Sequence, residues 1–121
     1  MDPSFNHLLT FSKLQGAGND FIFLNAPSHN LDAYFAYLRP YVSKLCDRNF
    51  GIGADGVIVL SSTESVDDID FRMTIFNADG SDEPMCGNGI RCAVKWAIES
   101  GIVKRDKNPV KVMTRAGVKE V

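Results

Sequence analysis

Residues 77–96 read Asn-Ala-Asp-Gly-Ser-Asp-Glu-Pro-Met-Cys-Gly-Asn-Gly-Ile-Arg-Cys-Ala-Val-Lys-Trp, a turn-rich segment that runs straight into a helical pattern. Its centre is Cys86. Gly87, Asn88 and Gly89 follow, and they let the backbone turn tightly and come close to a ligand. Beyond them Ile90, Ala93, Val94, Ala97 and Ile98 fall on one stripe of a helix expected over residues 89–100, with Gly101 placed to terminate it. Cys92 and Trp96 lie outside that stripe, as they would if a sheet wrapped around the helix. A thiol at the mouth of a helix results. There the unpaired amides and the positive end of the helix dipole favour an anion, whether the Cys86 thiolate or a bound carboxylate.

The segment before it alternates as a strand does. Ile69, Phe71, Met73 and Ile75 point one way, Arg72, Thr74 and Phe76 the other, and Asn77 to Gly80 makes the closing turn. Further upstream, Val57 to Leu60 is a four-residue apolar run suited to a strand buried on both faces. The glycines at 51, 53 and 56 precede that strand, whereas phosphate-binding glycines follow a strand and open a helix, so a dinucleotide fingerprint is excluded. Ser61 to Asp68 reads as a solvated acidic loop. Between Leu31 and Asp47 the apolar positions recur at helical spacing, but Pro40 splits them into a short helix ending near Leu38 and a second one ending near Arg48. Cys46, on the apolar stripe of the second helix, is read as a buried structural thiol.

At the start of the chain, residues 9–16 and 21–25 are aromatic-rich strand candidates separated by Gly16-Ala17-Gly18-Asn19-Asp20. That loop has the composition of a plain hairpin turn, yet Asn19 also offers an amide able to donate to a carboxylate and accept from an amine. Downstream, residues 109–114 and 118–121 read as two strands joined by a turn at Arg115-Ala116-Gly117. The second strand has only begun where the sequence stops, which gives the chain a cut-off look and leaves apolar surface that favours self-association into a homo-oligomer. The order strand, strand, helix, strand, strand, helix, strand, strand fits an α+β domain in which a curved, mostly antiparallel sheet wraps a central helix, better than a doubly wound sheet.

Composition narrows the function classes. With 121 residues, 45% of them apolar and 23% charged, the chain suits one globular domain with its own core. Thirteen basic and fifteen acidic residues, a formal charge of −2, and no basic run argue against a nucleic-acid partner. No apolar run approaches the roughly 20 residues that span a bilayer, and the first ten residues lack a signal-peptide layout, so no membrane partner and a cytoplasmic location are expected. Three cysteines and two histidines lack metal-site spacing, so free thiols and no metal are expected; His7 and His29, in unpatterned segments, are read as exposed.

Four motif pieces together resemble one family. They are Lys-Leu-Gln-Gly-Ala-Gly-Asn-Asp-Phe at 13–21, Asp-Arg-Asn-Phe-Gly-Ile-Gly-Ala-Asp-Gly at 47–56, Phe-Asn-Ala-Asp-Gly-Ser at 76–81 and Met-Cys-Gly-Asn-Gly-Ile-Arg-Cys at 85–92. In this order they resemble the N-terminal half of diaminopimelate epimerase, over Phe11 to about Val121. The resemblance implies a cofactor-independent enzyme of lysine and peptidoglycan precursor synthesis, built of two pseudo-symmetric halves that each wrap a sheet around a helix. Each half gives one cysteine to the cleft between them; one takes the α-proton of the amino-acid substrate as thiolate, and the other delivers a proton to the opposite face. By the same resemblance residues 1–121 form the N-terminal domain, Cys86 is its catalytic cysteine, the Gly87 and Asn88 backbone holds the substrate carboxylate, and Asn19 and Asn77 bind substrate. Where some members carry a substrate-contacting glutamine this chain has Gly56, and no role passes to it. The C-terminal half, with the second cysteine, is a missing partner.

Blander readings stand beside these. Cys86 could be a buried free thiol, Asn77 a turn residue and Cys92 a core residue. Two alternative functions are a related cofactor-free racemase or dehydratase acting on proline-type substrates, and a non-catalytic half-domain that binds or assembles. The Asn-Ala-Asp-Gly-Ser and Cys-Gly-Asn-Gly motifs favour the epimerase.

Overall fold

The computed structural model describes residues 11–16, 18–26, 30–62 and 68–121. Expectations for residues 9 and 10, Ala17, His7, His29 and the middle of the acidic loop, residues 63–67, lie outside the described residues. The chain runs β1 (Phe11–Gly16), β2 (Asn19–Asn25), α1 (Leu31–Leu38), a 3-10 turn (Arg39–Tyr41), α2 (Val42–Cys46), β3 (Gly56–Ser61) and β4 (Phe71–Asn77). It continues with β5 (Asp82–Glu83), α3 (Gly87–Glu99), β6 (Lys111–Thr114) and β7 (Gly117–Glu120).

One sheet holds the seven strands in the open order β1-β2-β3-β4-β6-β7, and β5 pairs with β4 beside β6. β6 takes the first end of β4, at Phe71 and Arg72, and β5 takes its last end, at Ile75 and Phe76. Pairing is antiparallel for β1/β2, β3/β4, β4/β5 and β6/β7, and parallel for β2/β3 and β4/β6. The parallel pairs fall where a helical connection carries the chain back to the end it left, since parallel neighbours need a long crossover. The sheet is thus mixed, with the expected antiparallel majority.

Strand alternation sends apolar side chains to both faces. On one face Phe21, Phe23, Ile58, Leu60, Phe71, Met73 and Ile75 enclose Ile90, Cys92, Ala93 and Ala97 of α3. On the other, Ile22, Leu24, Val57, Val59 and Phe76 pack on Leu38, Val42, Leu45 and Cys46 of α1 and α2. That double cover explains why β3 is buried at every position. Trp96, off the main stripe of α3, lies with its ring centroid 5.4 Å from that of Phe23, as enclosure by the sheet requires.

Boundaries differ from the sequence reading in ways that have local causes. α3 begins at Gly87 rather than residue 89, because Cys86 in extended conformation caps it and its sulfur accepts a hydrogen bond from the Gly89 N–H at 3.4 Å. Its far end matches expectation: Gly101 adopts φ +80°, while the Gly101 and Ile102 N–H groups close onto the Ile98 and Ala97 carbonyls. α2 stops at Cys46, before Arg48, because Asp47 turns extended and its carboxylate accepts from the Asn49 and Phe50 N–H groups at 2.8 and 3.0 Å. Pro40 sits in the intervening 3-10 turn, where its missing N–H costs nothing. β2 starts at Asn19 and β6 at Lys111, and the two-residue β5 has no counterpart in the sequence reading.

The chain after α2 leaves no room for a side chain at residue 51, where a Cβ would stand 2.0 Å from the Lys44 carbonyl oxygen. Gly51→Ala should therefore lower the unfolding free energy by about 1–3 kcal/mol in urea denaturation, whereas Ser43→Ala on the exposed side of α2 should change it by less than about 0.5 kcal/mol.

Candidate active site at the N-terminus of helix α3

Cys86 owes its position to two flanking constraints. Before it, β5 ties the chain to the end of β4; after it, α3 starts at once and is locked into the sheet by its buried stripe. The thiol is half-buried, while the other two free cysteines, Cys46 and Cys92, are buried. At a helix start the first N–H groups have no intrahelical partner. The Cys86 sulfur satisfies that of Gly89, which leaves those of Gly87 and Asn88 at the helix end as donors for a ligand. The sulfur thus stands beside the positive end of the α3 dipole, facing whatever binds there. The burial of Cys46 pushes its thiol up to about 11, and burial also raises that of Cys92.

Cys86 opens into a pocket of about 230 Å³ whose polar side chains are Asn19, Asp55, Asn77 and Glu83. Phe21, Ile75 and Met85, whose side chains belong to the α3 face of the sheet, supply its apolar part, which lowers the local dielectric around the thiol. Three of the five residues singled out from sequence thus meet in one cavity. Gly87 and Asn88 come next to it, in the first turn of α3. Asn19 is the first residue of β2 and accepts a hydrogen bond from the Asn88 side chain at 2.8 Å, so the hairpin is coupled directly to the helix mouth. Asn88 in turn accepts from the Arg91 guanidinium. Asn77 ends β4, and its side chain donates to the Ser81 hydroxyl at 3.0 Å, while Asp79 receives both the Ser81 N–H and hydroxyl. It is a turn residue and a pocket residue at once.

Sequence reasoning missed the ionic frame behind the pocket. The Arg48 guanidinium forks onto the buried Asp20 carboxylate at 2.8 and 3.1 Å and also reaches Asp55 at 3.0 Å. Lys13 adds an ion pair to Asp20 at 3.2 Å. Asp55 accepts from the Asp20 N–H at 2.9 Å and from the Asn19 side chain at 3.4 Å. Hydrogen bonding from Arg48, against the cost of burial and with help from Lys13, holds the Asp20 carboxyl far below the usual carboxylate range. Asp20 and Asp55 stand inside two of the motif pieces, but nothing in their spacing announced Arg48 as the link. Among the described residues no group of His, Cys, Asp or Glu side chains could hold a metal ion, and no helix is long and apolar enough to cross a membrane.

Access and thiolate character together set thiol reactivity. At pH 8 iodoacetamide should modify Cys86 at least about tenfold faster than Cys46 or Cys92 in the folded protein, read by peptide mass mapping; equal rates, or faster modification of either buried thiol, would contradict the geometry.

The family model described as diaminopimelate epimerase matches residues 11–121. A diaminopimelate epimerase of Halothermothrix orenii is 47% identical over 110 residues, covering 91% of this chain and 36% of the relative. One of Prochlorococcus marinus is 44% identical over 109 residues, covering 89% of this chain and 37% of the relative. The chain therefore spans little more than a third of the length of the curated relatives it matches. Among solved structures, a methylitaconate-delta-isomerase aligns over 92% of this chain and 34% of its own, with a TM-score of 0.66 at 19% identity. A phenazine biosynthesis protein of the PhzF family from Bacillus anthracis aligns over 91% and 33%, with a TM-score of 0.59 at 17% identity. These two establish likeness of fold alone. With four ordered motif pieces, a Cys86 pocket that gathers them and a family match over 11–121, the chain belongs to the diaminopimelate epimerase family.

Proposed function

We propose that this chain is the N-terminal domain of a cytoplasmic, cofactor-independent diaminopimelate epimerase of lysine and peptidoglycan precursor synthesis, and that Cys86 is one of the two groups that move the α-proton. The observation that carries the reading is the Cys86 sulfur, 3.4 Å from the Gly89 nitrogen at the mouth of α3, in one pocket with Asn19 and Asn77. The α-proton of an amino acid is weakly acidic, so its removal needs fixed dipoles where negative charge gathers, on the adjacent carboxylate. The free N–H groups of Gly87 and Asn88 and the α3 dipole are donors of that kind.

In the direction where Cys86 is the base, its thiolate takes the proton. The S–H bond forms as the C–H bond breaks, and the electron pair moves into the carboxylate held at the helix end. A thiol supplied by the remainder of the full-length protein then protonates the carbon from the opposite face. In the reverse direction the two sulfurs exchange roles. Asn19 and Asn77 orient the amino acid so that its α-carbon lies over the thiol, a positioning contribution that converts binding into rate. The apolar Phe21, Ile75 and Met85 limit water around the developing charge.

Replacing Cys86 by alanine in the full-length protein should lower turnover of LL- and meso-diaminopimelate alike, by roughly 10²–10⁴-fold or more, because each direction needs both sulfurs. A coupled assay run in each direction checks this. A variant retaining near-normal rate in either direction would remove Cys86 from the mechanism.

A further inference from the structure

The two residues of β5 are consecutive acids with opposite surroundings. Asp82, opposite Phe76 in the register, pairs with Arg39 at 2.8 Å and Arg115 at 3.0 Å. Both guanidiniums also stack on the Phe76 ring, 5.0 and 5.1 Å from its centroid, so β5 is pinned from that face. Glu83 is opposite Ile75, whose side chain belongs to the α3 face of the sheet. Cross-strand neighbours share a face, which puts Glu83 on the side of Cys86, and the two do line the same pocket. Of the two acidic residues that line it, Asp55 is engaged by Arg48, Asn19 and the Asp20 N–H. The half-buried Glu83 carboxylate has no side-chain partner among the described residues.

A carboxylate without a side-chain partner, lining the pocket that also holds the thiol, is available to a cationic group. The pocket thus has two poles. One is the α3 amide end, which takes an anion; the other is Glu83, which takes a cation. An amino-acid zwitterion presents a carboxylate and an ammonium on one carbon and matches both. We infer that Glu83 is a specificity-determining residue that receives the ammonium of the amino-acid substrate whose carboxylate rests on the Gly87 and Asn88 amides. This deepens the epimerase reading and rests on it for the site. Pinning of β5 by Asp82 gives the Glu83 carboxylate a fixed origin, and Asn19 and Asn77 complete the polar rim around the ammonium.

The test uses the full-length protein and measures protection of Cys86 from iodoacetamide by 2-aminopimelate and by 2-hydroxypimelate, which differ only in ammonium against hydroxyl. Wild type should be half-protected by the amino acid at a concentration at least about tenfold lower than by the hydroxy acid, the scale of one charge-assisted hydrogen bond. Glu83→Gln should reduce that preference below about threefold with an unchanged circular dichroism spectrum, and Glu83→Asp should keep part of it. A preference retained in Glu83→Gln, or absent in wild type, overturns the assignment. Turnover of diaminopimelate is scored separately. If wild type turns it over and Glu83→Gln keeps both its KM and the ammonium preference, the inference falls while the epimerase reading stands. If wild type shows the Glu83-dependent preference without turnover, the epimerase reading falls while the ammonium site stands.

Discussion

The first amides of a helix have no partner within it, and in this fold a thiol satisfies one of them. The Cys86 sulfur stands where serine, threonine, aspartate or asparagine usually caps, and it accepts from the Gly89 N–H at 3.4 Å. The same bond that starts α3 therefore orients the sulfur beside the Gly87 and Asn88 amides, which the helix ladder does not use. Structure and chemistry share one contact, and its geometry is only as firm as the seat of α3. That seat is the face of the sheet built from Phe21, Phe23, Ile58 and Ile75, into which Ile90, Ala93 and Ala97 are packed. Dense packing of this kind resists small displacements, so the sulfur is held by the core rather than by a loop.

Two charged clusters extend that rigidity to the rim of the pocket. Arg48, bridging Asp20 and Asp55, joins the β1–β2 hairpin to the turn before β3. Asp55, held by Arg48, and Asn88, held by Arg91, fix Asn19 from two sides. On the opposite flank Arg39 and Arg115 hold Asp82 over the buried Phe76 ring. Arg115 also donates to the Ile75 carbonyl at 2.6 Å, so β5 and the approach to Cys86 stay fastened to β4. Each cluster uses guanidinium groups, whose planar fork can serve several acceptors in fixed geometry. The polar residues around the thiol are consequently presented from elements that brace one another.

Much of this was legible because it is written in period and punctuation. The alternation from Ile69 to Phe76 gave β4 and both of its faces, the unbroken Val57 to Leu60 run gave a strand covered on each side, and Pro40 marked the break between α1 and α2. The off-stripe Trp96 signalled a helix enclosed by sheet. Other features left no such trace. β5 is an Asp-Glu pair with no apolar alternation, and its assignment to opposite faces depends on the register against Ile75 and Phe76. Arg48 lies 28 residues from Asp20, a distance over which spacing says nothing about charge pairing. α3 starts two residues before the expected Gly89, because its cap is a cysteine, which is not a customary capping residue. Asn19 shows that a turn-forming residue can also line a pocket, which composition alone could not separate.

We propose Cys86 as one of two monoprotic carriers acting on opposite faces of the α-carbon. The most direct measurement is turnover of a single diaminopimelate stereoisomer by the full-length protein in deuterium oxide, stopped early and analysed by mass spectrometry. With two carriers, the product acquires one solvent deuterium at the inverted centre while recovered substrate stays protiated, since the proton on the departing side is not the one returned. Label entering recovered substrate as fast as product, or product that retains the original proton, would show that one exchanging or internally returning base does the work and would contradict the account.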